Sequence, residues 1–321
     1  MIRSARHPHL APNQAPEPYP QIPDYLQASA ITLQREGVTV TLLPDAGLRV
    51  GSIVIGGREL LVRENGHPAT WGIFPMAPWA GRMANARFTD HQGVAHQFPP
   101  TWGDHAFHGR LFLATANEHS VAGSADSATM YAPLDSTSGW SLDARAEVSA
   151  VLRGTAAAGE LTITLTVIAG VEQEVTIGWH PCFRRFTLDA TERIERGEEG
   201  ILTFAPAGVL ARDASSPGLH LTEVVLPAVD GGVAAPRGGA TWDDPFVGVA
   251  TPPQIRWGED LVLELDAGSV ATHWMVYDPV EALCVEPQIG PPDAFHRGGA
   301  VRLKAGEQLT LPLTLRWTSN L

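Results

Sequence analysis

A two-residue alternation of apolar and polar side chains recurs along this chain and limits the folds it can adopt. The run Leu161–Val167 has leucine, isoleucine, leucine and valine on one side and three threonines on the other. Gly37–Leu43, Leu261–Asp266 and Leu309–Leu315 repeat the pattern. Such spacing is typical of β-strands that bury one face. Pro312 interrupts the last run, which predicts a sheet edge or a bulge at that position.

Turn-forming residues separate these runs throughout the chain. The 321 residues include 32 glycines and 26 prolines, and no long segment has helical periodicity. Short strands with frequent turns predict an all-β protein, a large antiparallel β-sandwich with few or no long helices. Because no break in composition divides the chain, we expect one domain over residues 24–321. The proline-rich residues 1–23 are expected to form a flexible, extended arm.

The charge balance excludes several classes of partner. Twenty-two lysines and arginines against 35 acidic residues give a net charge of −13, which disfavours nucleic acids and anionic membranes. No apolar stretch is long enough to span a membrane, and the N-terminus lacks a secretory signal, so we expect a cytoplasmic protein. The two cysteines, Cys182 and Cys284, are too few for a disulfide scaffold. They could form one bridge, but we expect free, buried thiols.

Two ionisable residues within apolar strand segments are candidates for chemistry, and Glu286 is the stronger of the two. Glu286 follows the apolar run Leu283–Val285 and precedes a proline. A carboxylate among apolar neighbours is costly unless it is paired or has a function. His180 lies between Trp179 and Phe183, and an imidazole there can act as a general acid or base. The alternative for His180 is a buried neutral histidine bonded to the backbone.

Three further positions could bind a polar ligand. Arg82 lies among small and apolar residues, where its guanidinium needs an acceptor, either a ligand oxygen or a structural carboxylate. His108 precedes a glycine and can reach a ligand hydroxyl, although a surface histidine is the commoner outcome. Asp243 or Asp244 could accept hydrogen bonds from a ligand or belong to a turn. His105 and His108 lack a convincing third ligand, so we predict no metal site.

The order of these motifs along the chain is more specific than any one of them. From about Val38 to Trp317 the sequence resembles the aldose 1-epimerase (galactose mutarotase) family. The motifs that carry the resemblance are Gly81-Arg82-Met83, His108-Gly109, His180-Pro181-Cys182-Phe183, Asp243-Asp244-Pro245-Phe246 and Glu286-Pro287-Gln288-Ile289-Gly290.

The resemblance implies a fold, a reaction and a role for each residue. The fold is a large antiparallel β-supersandwich, and the reaction interconverts the α and β anomers of a free hexose. Glu286 would remove the proton of the C1 hydroxyl and His180 would protonate the ring oxygen, while Arg82, His108 and Asp243 would hold the sugar hydroxyls. The implied partner is a monosaccharide, bound by a monomer or homodimer. No cofactor is expected, because no redox step or group transfer occurs.

The chain departs from the family pattern at three places. Gly81 stands where the family often has asparagine, Cys182 stands where it often has tyrosine, and Arg184 and Arg185 follow the histidine motif.

Three other functions remain open from the sequence. A carbohydrate-binding protein without turnover could stack sugar rings on tryptophans such as Trp71, Trp79, Trp102, Trp179 or Trp242. A hexose-6-phosphate 1-epimerase could bind phosphate through Arg110, Arg184 and Arg185. An inactive structural or regulatory relative is the third.

Overall fold

The structure is a computed structural model that describes residues 29–63, 67–116, 118–121, 125–189, 195–196, 199–212, 220–225, 233–234 and 242–321. The arm expected over residues 1–23 lies outside the described residues. Strands dominate the described part of the chain, as the alternating sequence predicts. Its helices are the 3-10 turns Pro44–Ala46, Ala84–Ala86 and Leu111–Leu113 and one short α-helix, α1 (Ala294–Arg297).

The described residues up to Ala169 contribute thirteen strands. They are β1 (Ile31–Arg35), β2 (Val38–Leu43), β3 (Arg49–Ile55), β4 (Arg58–Leu61), β5 (Ile73–Met76), β6 (Arg82–Met83), β7 (Arg87–Thr89), β8 (Ala95–Gln97), β9 (Ala106–Phe107), β10 (Glu118–Val121), β11 (Ser127–Leu134), β12 (Ala144–Gly154) and β13 (Ala158–Ala169).

The described residues after Ala169 contribute fourteen strands. They are β14 (Gln173–Val175), β15 (Ile177–Asp189), β16 (Glu195–Arg196), β17 (Gly200–Phe204), β18 (Gly208–Arg212), β19 (His220–Val225), β20 (Val233–Ala234), β21 (Asp243–Val247), β22 (Gln254–Trp257), β23 (Leu261–Asp266), β24 (His273–Tyr277), β25 (Ala282–Ile289), β26 (Val301–Leu303) and β27 (Gln308–Ser319).

Two large antiparallel sheets contain most of these strands. The first sheet has the order β1-β2-β3-β4-β15-β25-β24-β21-β18-β19, with β5 paired to β3 and β15 and with β16 paired to β15. The second sheet has the order β10-β11-β12-β13-β27-β23-β22-β17-β20. Three two-stranded ladders, β14-β26, β6-β9 and β7-β8, complete the described architecture. The predicted all-β, antiparallel fold is therefore confirmed.

The inner faces of the two sheets share one hydrophobic core. Leu161, Ile163 and Leu165 from β13 are fully buried in it, while the threonines between them face outward. The outward threonines also pair across strands, since the Thr162 and Thr314 hydroxyls lie 3.0 Å apart. The sequence alternation thus becomes a division between core and surface.

Pro312 lies on a central strand, not at the edge that the sequence predicted. β27 pairs with β13 along its length and with β23 on its other side. The pairing with β23 ends at Thr314, before Pro312, and the pairing with β13 passes through Pro312 without a register shift. A proline is tolerated here because one side of the strand is no longer paired at this point.

Strand β15 connects the core to the opposite face of the first sheet. Trp179 is fully buried in the core, and its Nε1 donates a hydrogen bond to the backbone oxygen of Leu311 in the second sheet, at 3.1 Å. His180, the next residue, must point to the other face. The same alternation on β25 buries Val285 in the core and turns Glu286 outward. The outer face of the first sheet therefore receives both candidate catalytic groups.

Candidate active site

A cavity of about 400 Å³ lies over the outer face of the first sheet. All five residues selected from the sequence line it, namely Arg82, His108, His180, Asp243 and Glu286. They come from β6, from the segment after β9, and from β15, β21 and β25. The cavity volume falls within the range of roughly 300–1,000 Å³ that is typical of small-molecule sites.

Glu286 and His180 are in direct contact at the base of this cavity. The register of β15 and β25 pairs Gly178 with Gln288 and Cys182 with Cys284, which sets His180 opposite Glu286. Oε1 of Glu286 lies 3.2 Å from Nε2 of His180. Their side chains are only 2% and 6% exposed, so water screens the pair poorly.

Burial and mutual attraction shift the pKa values of both groups. Burial raises the pKa of Glu286 to about 7, although the positive charges of His180 and Arg82 oppose the shift. Burial lowers the pKa of His180, but the negative charges of Glu286 and Cys182 outweigh it and raise the pKa to about 9. Between these values a carboxylate and an imidazolium coexist, which is the ionisation state that paired general base and acid catalysis requires.

Three neighbours fix the plane of the His180 ring. Phe74, its partner across the β5–β15 ladder, stacks on it with ring centroids 4.5 Å apart. His108 meets it edge to face at 4.8 Å. The sulfur of Cys182 lies 3.4 Å from its Nδ1. Because both ring nitrogens have partners, the ring presents a defined edge to Glu286 and to the cavity.

Arg82 and Asp243 form a second polar pair in the cavity wall. The guanidinium of Arg82 lies 3.4 Å from Oδ2 of Asp243 and 4.4 Å from the centre of the Trp102 ring. Of the two neighbouring aspartates, Asp243 lines the cavity, so the structure favours Asp243 over Asp244 as the ligand-facing residue. Stacking on tryptophan and pairing with a carboxylate hold the guanidinium fork in place.

A tight turn brings His108 beside Arg82. Strands β6 and β9 pair Arg82 with Phe107, and the backbone amide of His108 donates to the carbonyl of Gly81 at 2.8 Å. His108 and Gly109 both have left-handed backbone angles, with φ of 59° and 74°. A Cβ on Gly109 would lie 2.1 Å from the carbonyl oxygen of Ala77, so this position requires glycine.

Comparisons with known proteins agree with this geometry. The family model described as aldose 1-epimerase matches residues 29–316. The chain belongs to the aldose 1-epimerase family. A search of curated proteins returned no match.

Solved structures share the fold of this aldose 1-epimerase family member. A candidate aldose 1-epimerase from Escherichia coli K12 has a TM-score of 0.73 and 22% identity, covering 91% of this chain and 99% of that one. A galactose mutarotase-like protein from Clostridium acetobutylicum has a TM-score of 0.73 and 14% identity, with coverages of 90% and 95%. Galactose 1-epimerase from Lactobacillus acidophilus has a TM-score of 0.70 and 15% identity, with coverages of 90% and 94%.

Several polar atoms of the cavity lack a hydrogen-bond partner within the described part of the chain. They are Nδ1 of His108, Oε2 of Glu286 and both side-chain polar atoms of Gln288. Gln288 is only 1% exposed. Burial of such groups without partners is costly, so their clustering gives this cavity the capacity to hydrogen-bond a polar ligand.

Gln288 is a site residue that the sequence reasoning missed. It belongs to the motif that contains Glu286 and stands two residues after it, hence on the same face of β25. That spacing was the available signal. Tyr277 and Met275, two residues apart on β24, also line the cavity, and nothing in the sequence distinguished them from other strand residues.

His108 differs electrostatically from His180. Burial and the nearby positive charges of His180 and Arg82 hold the pKa of His108 well below its ordinary value. A neutral His108 can both donate and accept a hydrogen bond. This makes it suited to binding a hydroxyl group, and unsuited to providing a second imidazolium.

One group of described residues has the spacing of a metal site. Nδ1 or Nε2 of His180, Sγ of Cys182 and Sγ of Cys284 lie within 4.8 Å of one another. The cysteines are free and buried, as the sequence predicted, and they lie beneath His180 and not in the cavity wall. Since Nδ1 of His180 already contacts the Cys182 sulfur, we interpret the three side chains as a hydrogen-bonded group.

None of the helices in the described ranges has the length and apolar character that a membrane crossing requires.

Proposed function

We propose that this protein is an aldose 1-epimerase that interconverts the α and β anomers of a free monosaccharide. The observation that carries the proposal is the contact between Glu286 and His180 at the base of the cavity. A carboxylate and an imidazole side by side can exchange protons with two neighbouring oxygens of one ligand. In a cyclic sugar, the C1 hydroxyl oxygen and the ring oxygen are both bonded to C1.

The proposed reaction is a pair of proton transfers. Ionised Glu286 removes the proton of the C1 hydroxyl while protonated His180 delivers a proton to the ring oxygen. The bond between C1 and the ring oxygen breaks, and the open-chain aldehyde forms. Rotation about the C1–C2 bond exposes the other face of the aldehyde. The reverse transfers then close the ring as the other anomer, which returns both side chains to their starting protonation states.

The remaining cavity residues would hold the sugar through its hydroxyl groups. The Arg82 guanidinium donates and the Asp243 carboxylate accepts, while neutral His108 and the amide of Gln288 can each do both. The unpartnered atoms of His108 and Gln288 supply unused hydrogen-bonding capacity in the cavity. This combination suits a ligand with many hydroxyls, each of which donates one hydrogen bond and accepts others.

The charges in the cavity favour a neutral sugar over a sugar phosphate. Among the described lining residues the only arginine is Arg82, and it pairs with Asp243. Arg185 binds Asp278 and Glu199. Nε of Arg184 donates to the backbone of Phe186, and Nε of Arg110 donates to that of Ser138. A phosphate dianion would meet the two carboxylates Glu286 and Asp243, and the two cations that line the cavity with them, His180 and Arg82, are each already paired with one of these carboxylates.

A non-catalytic sugar-binding role has weaker support. Of the tryptophans considered for stacking, Trp102 is the one among the described cavity residues, and it packs on Arg82. Trp79 and Trp179 are buried in the core, and Trp71 stacks on the guanidinium of Arg49. Binding alone also gives no reason for a buried carboxylate and imidazole in contact.

The test is the rate at which freshly dissolved α-D-glucose and α-D-galactose approach anomeric equilibrium, followed by polarimetry. We expect the wild type to accelerate at least one of them and to act more weakly on the corresponding 6-phosphate. Glu286→Gln keeps the side-chain shape and should reduce kcat by about 10²–10⁴-fold with sugar binding retained. An unchanged rate for Glu286→Gln with retained binding would favour the binding-protein alternative.

A further inference from the structure

The two cysteines form a second cross-strand pair next to the proposed catalytic pair. On β15, Cys182 stands two residues after His180, and on β25, Cys284 stands two residues before Glu286. The strand register pairs Cys182 directly with Cys284. Residues two apart on a strand point to the same face. The outer face of the sheet therefore carries a block of two adjacent pairs, an acid–base pair and a thiol pair.

The backbone hydrogen bonds show which kind of pair the cysteines form. The amide of Cys182 donates to the carbonyl of Gly72 at 2.8 Å, and its carbonyl accepts from the amide of Val62 at 2.9 Å. Both groups therefore point away from Cys284. Cys182 and Cys284 are a non-hydrogen-bonded antiparallel pair, in which the Cα atoms approach to about 4.5 Å and the side chains lie close together. The two sulfurs consequently share one small buried space beneath His180.

The imidazole of His180 lies between this thiol pair and Glu286. Its Nδ1 is 3.4 Å from the Cys182 sulfur, and its Nε2 is 3.2 Å from Oε1 of Glu286. If Cys182 is a thiol that donates to Nδ1, the neutral ring carries its proton on Nε2. If Cys182 is a thiolate that accepts from Nδ1, the ring is an imidazolium with a proton on both nitrogens. In both states Nε2, the nitrogen that faces Glu286, is protonated.

We propose that Cys182 is a positioning residue for the epimerase reaction, whose sulfur holds the Nδ1 edge of His180 and thereby keeps the transferable proton on Nε2. The inference rests on the proposed function, because it assigns Cys182 a role in preparing the general acid of that reaction. It also gives a physical role to Cys182, which is one of the places where this chain departs from the family pattern.

The surrounding charges favour the thiolate–imidazolium form of this contact. Burial raises the pKa of the Cys182 thiol, but the hydrogen bond from Cys284 and the positive charges of His180 and Arg49 outweigh it and lower the pKa. The pKa of Cys284 is raised well above its ordinary value, because it donates its proton to Cys182 and is buried, so it stays a thiol. The ionisable groups that act on the sulfur pair are His180, Arg49, Glu286, Tyr277 and Asp278.

The guanidinium of Arg49 lies on the same side of the site, and Phe74 packs between it and the His180 ring. The guanidinium lies 4.0 Å from the centre of the Trp71 ring and 5.2 Å from that of Phe74, and Phe74 stacks on His180. A buried cation on this side favours a negative sulfur in the same region. The arrangement resembles the general use of a third group to orient a catalytic imidazole, with sulfur in place of a carboxylate.

The first test compares Cys182→Ala, Cys182→Ser and Val285→Ala. The negative sulfur of Cys182 raises the pKa of His180. In Cys182→Ala, the fall of kcat/KM at high pH, which we expect near pH 9 in the wild type, should therefore shift to lower pH, towards the ordinary pKa of histidine. In Cys182→Ala we expect kcat to fall by about 10–100-fold, with KM within about twofold of the wild-type value. This is the size of loss seen when the hydrogen-bond partner of a metal-binding histidine is removed. Cys182→Ser keeps a hydrogen-bonding group at this position and should recover part of kcat. Val285→Ala removes buried volume from the core face of β25 and should leave the pH profile unchanged.

A Cys182→Ala enzyme that keeps the wild-type kcat and loses kcat/KM at the same high pH as the wild type would overturn the inference.

A second measurement needs no variant at position 182. In wild-type protein labelled with ¹⁵N-histidine, the His180 resonances, assigned by their loss in His180→Asn, should show Nε2 protonated from pH 6 to 8. A neutral ring with its proton on Nδ1 alone would contradict the inference. This spectrum shows which nitrogen of His180 is protonated even if the protein turns over no sugar. Absence of turnover would contradict the proposed function and leave the result for the His180 proton unaffected.

Discussion

At the scale of single residues, the site depends on ionisable groups that are buried in contact. Glu286 and His180 sit where a lone charge would be strongly disfavoured, and their contact is what permits both to be charged. Two further residues flank this pair. His108 is kept uncharged by its lowered pKa, and the positive charge of Arg82 is balanced by Asp243. Glu286 and His180 are therefore the two cavity residues best able to exchange protons with a ligand.

The first prediction concerns the pH dependence of the free enzyme. The proposed active form has Glu286 ionised and His180 protonated. Since the pKa of Glu286 is raised to about 7, kcat/KM should rise as the pH increases through 7. Since that of His180 is raised to about 9, kcat/KM should fall as the pH increases through 9. Initial rates of anomer conversion from pH 5 to 10 measure the profile, and a flat response over this range would contradict the pairing.

The second prediction concerns Gln288, whose side-chain amide is buried without a partner among the described residues. Loss of one or two hydrogen bonds to the sugar should raise KM about 5–20-fold in Gln288→Ala, with a smaller change in kcat. Because the free protein loses no hydrogen bond, its Tm should stay the same or increase. Steady-state kinetics and thermal unfolding test both parts. The matched control Gln254→Ala, at an exposed position of strand β22, should change neither KM nor kcat.

A wild-type KM in Gln288→Ala, or a marked loss of stability, would show that the amide has a structural role and does not bind the sugar.

At the scale of secondary-structure elements, strand alternation and register place the catalytic groups. Trp179 and Val285 point into the core, so their neighbours His180 and Glu286 point into the cavity. The sequence predicted this because the apolar pattern around both residues is strong, and the ordered motifs of the family identified the same five positions. The sequence did not reveal which strands are adjacent. The adjacency of strands decides the surroundings of each side chain in the cavity. It explains the contact between Cys182 and His180 and the absence of a described hydrogen-bond partner for the Gln288 amide.

Pro312 illustrates a second limit of the sequence at this scale. A proline predicts a missing donor on one side of a strand, and that part of the expectation holds. An edge strand is one way to leave that side unpaired, and a neighbouring strand that ends early is another. The structure uses the second, since the pairing of β23 with β27 ends at Thr314. The relative lengths of two strands distant in the chain decide between them, and no local pattern contains this information.

The third prediction concerns the turn that presents His108. In Gly109→Ala the new Cβ would collide with the carbonyl oxygen of Ala77, in addition to the cost of a positive φ. We expect a lower Tm and at least a tenfold decrease in kcat/KM, since His108 must move. Gly93→Ala is the matched control, because Gly93 also has a positive φ, of 82°, but has open space around its Cβ position.

The Gly93 variant, which lies in the β7–β8 turn away from the cavity, should lose some stability and keep wild-type kcat/KM. Equal activity losses in both variants would argue against a specific role for the His108 turn.

At the scale of the whole molecule, the two sheets serve different purposes. The second sheet buries the inner face of the first, while the outer face of the first carries the cavity. This separation allows the stability of the core to be altered without a change in the site. The likeness to solved aldose 1-epimerase-like structures covers about nine-tenths of the chain, so the shared fold includes both sheets.

The fourth prediction tests that separation. Leu165 is fully buried between the sheets, whereas its neighbour Thr164 faces outward. Leu165→Ala should lower the free energy of unfolding by about 2–5 kcal/mol through the cavity that it creates. Thr164→Ala, the matched surface variant, should change it by about 0.5 kcal/mol or less. Urea denaturation measures both values. At 25 °C each variant should keep kcat/KM within about twofold of the wild type, and a large loss of activity in folded Leu165→Ala would contradict the separation.

The most direct test of the account is magnetisation exchange between the two anomers of a sugar already at equilibrium, measured by NMR at pH 8. With glucose or galactose, wild-type protein should produce exchange between the two C1 proton resonances in proportion to its concentration. Glu286→Gln and His180→Asn should each reduce that exchange by about 10²-fold or more. Exchange that is absent with wild-type protein for both sugars, or that persists undiminished in both variants, would contradict the proposal that this pair opens and closes the sugar ring.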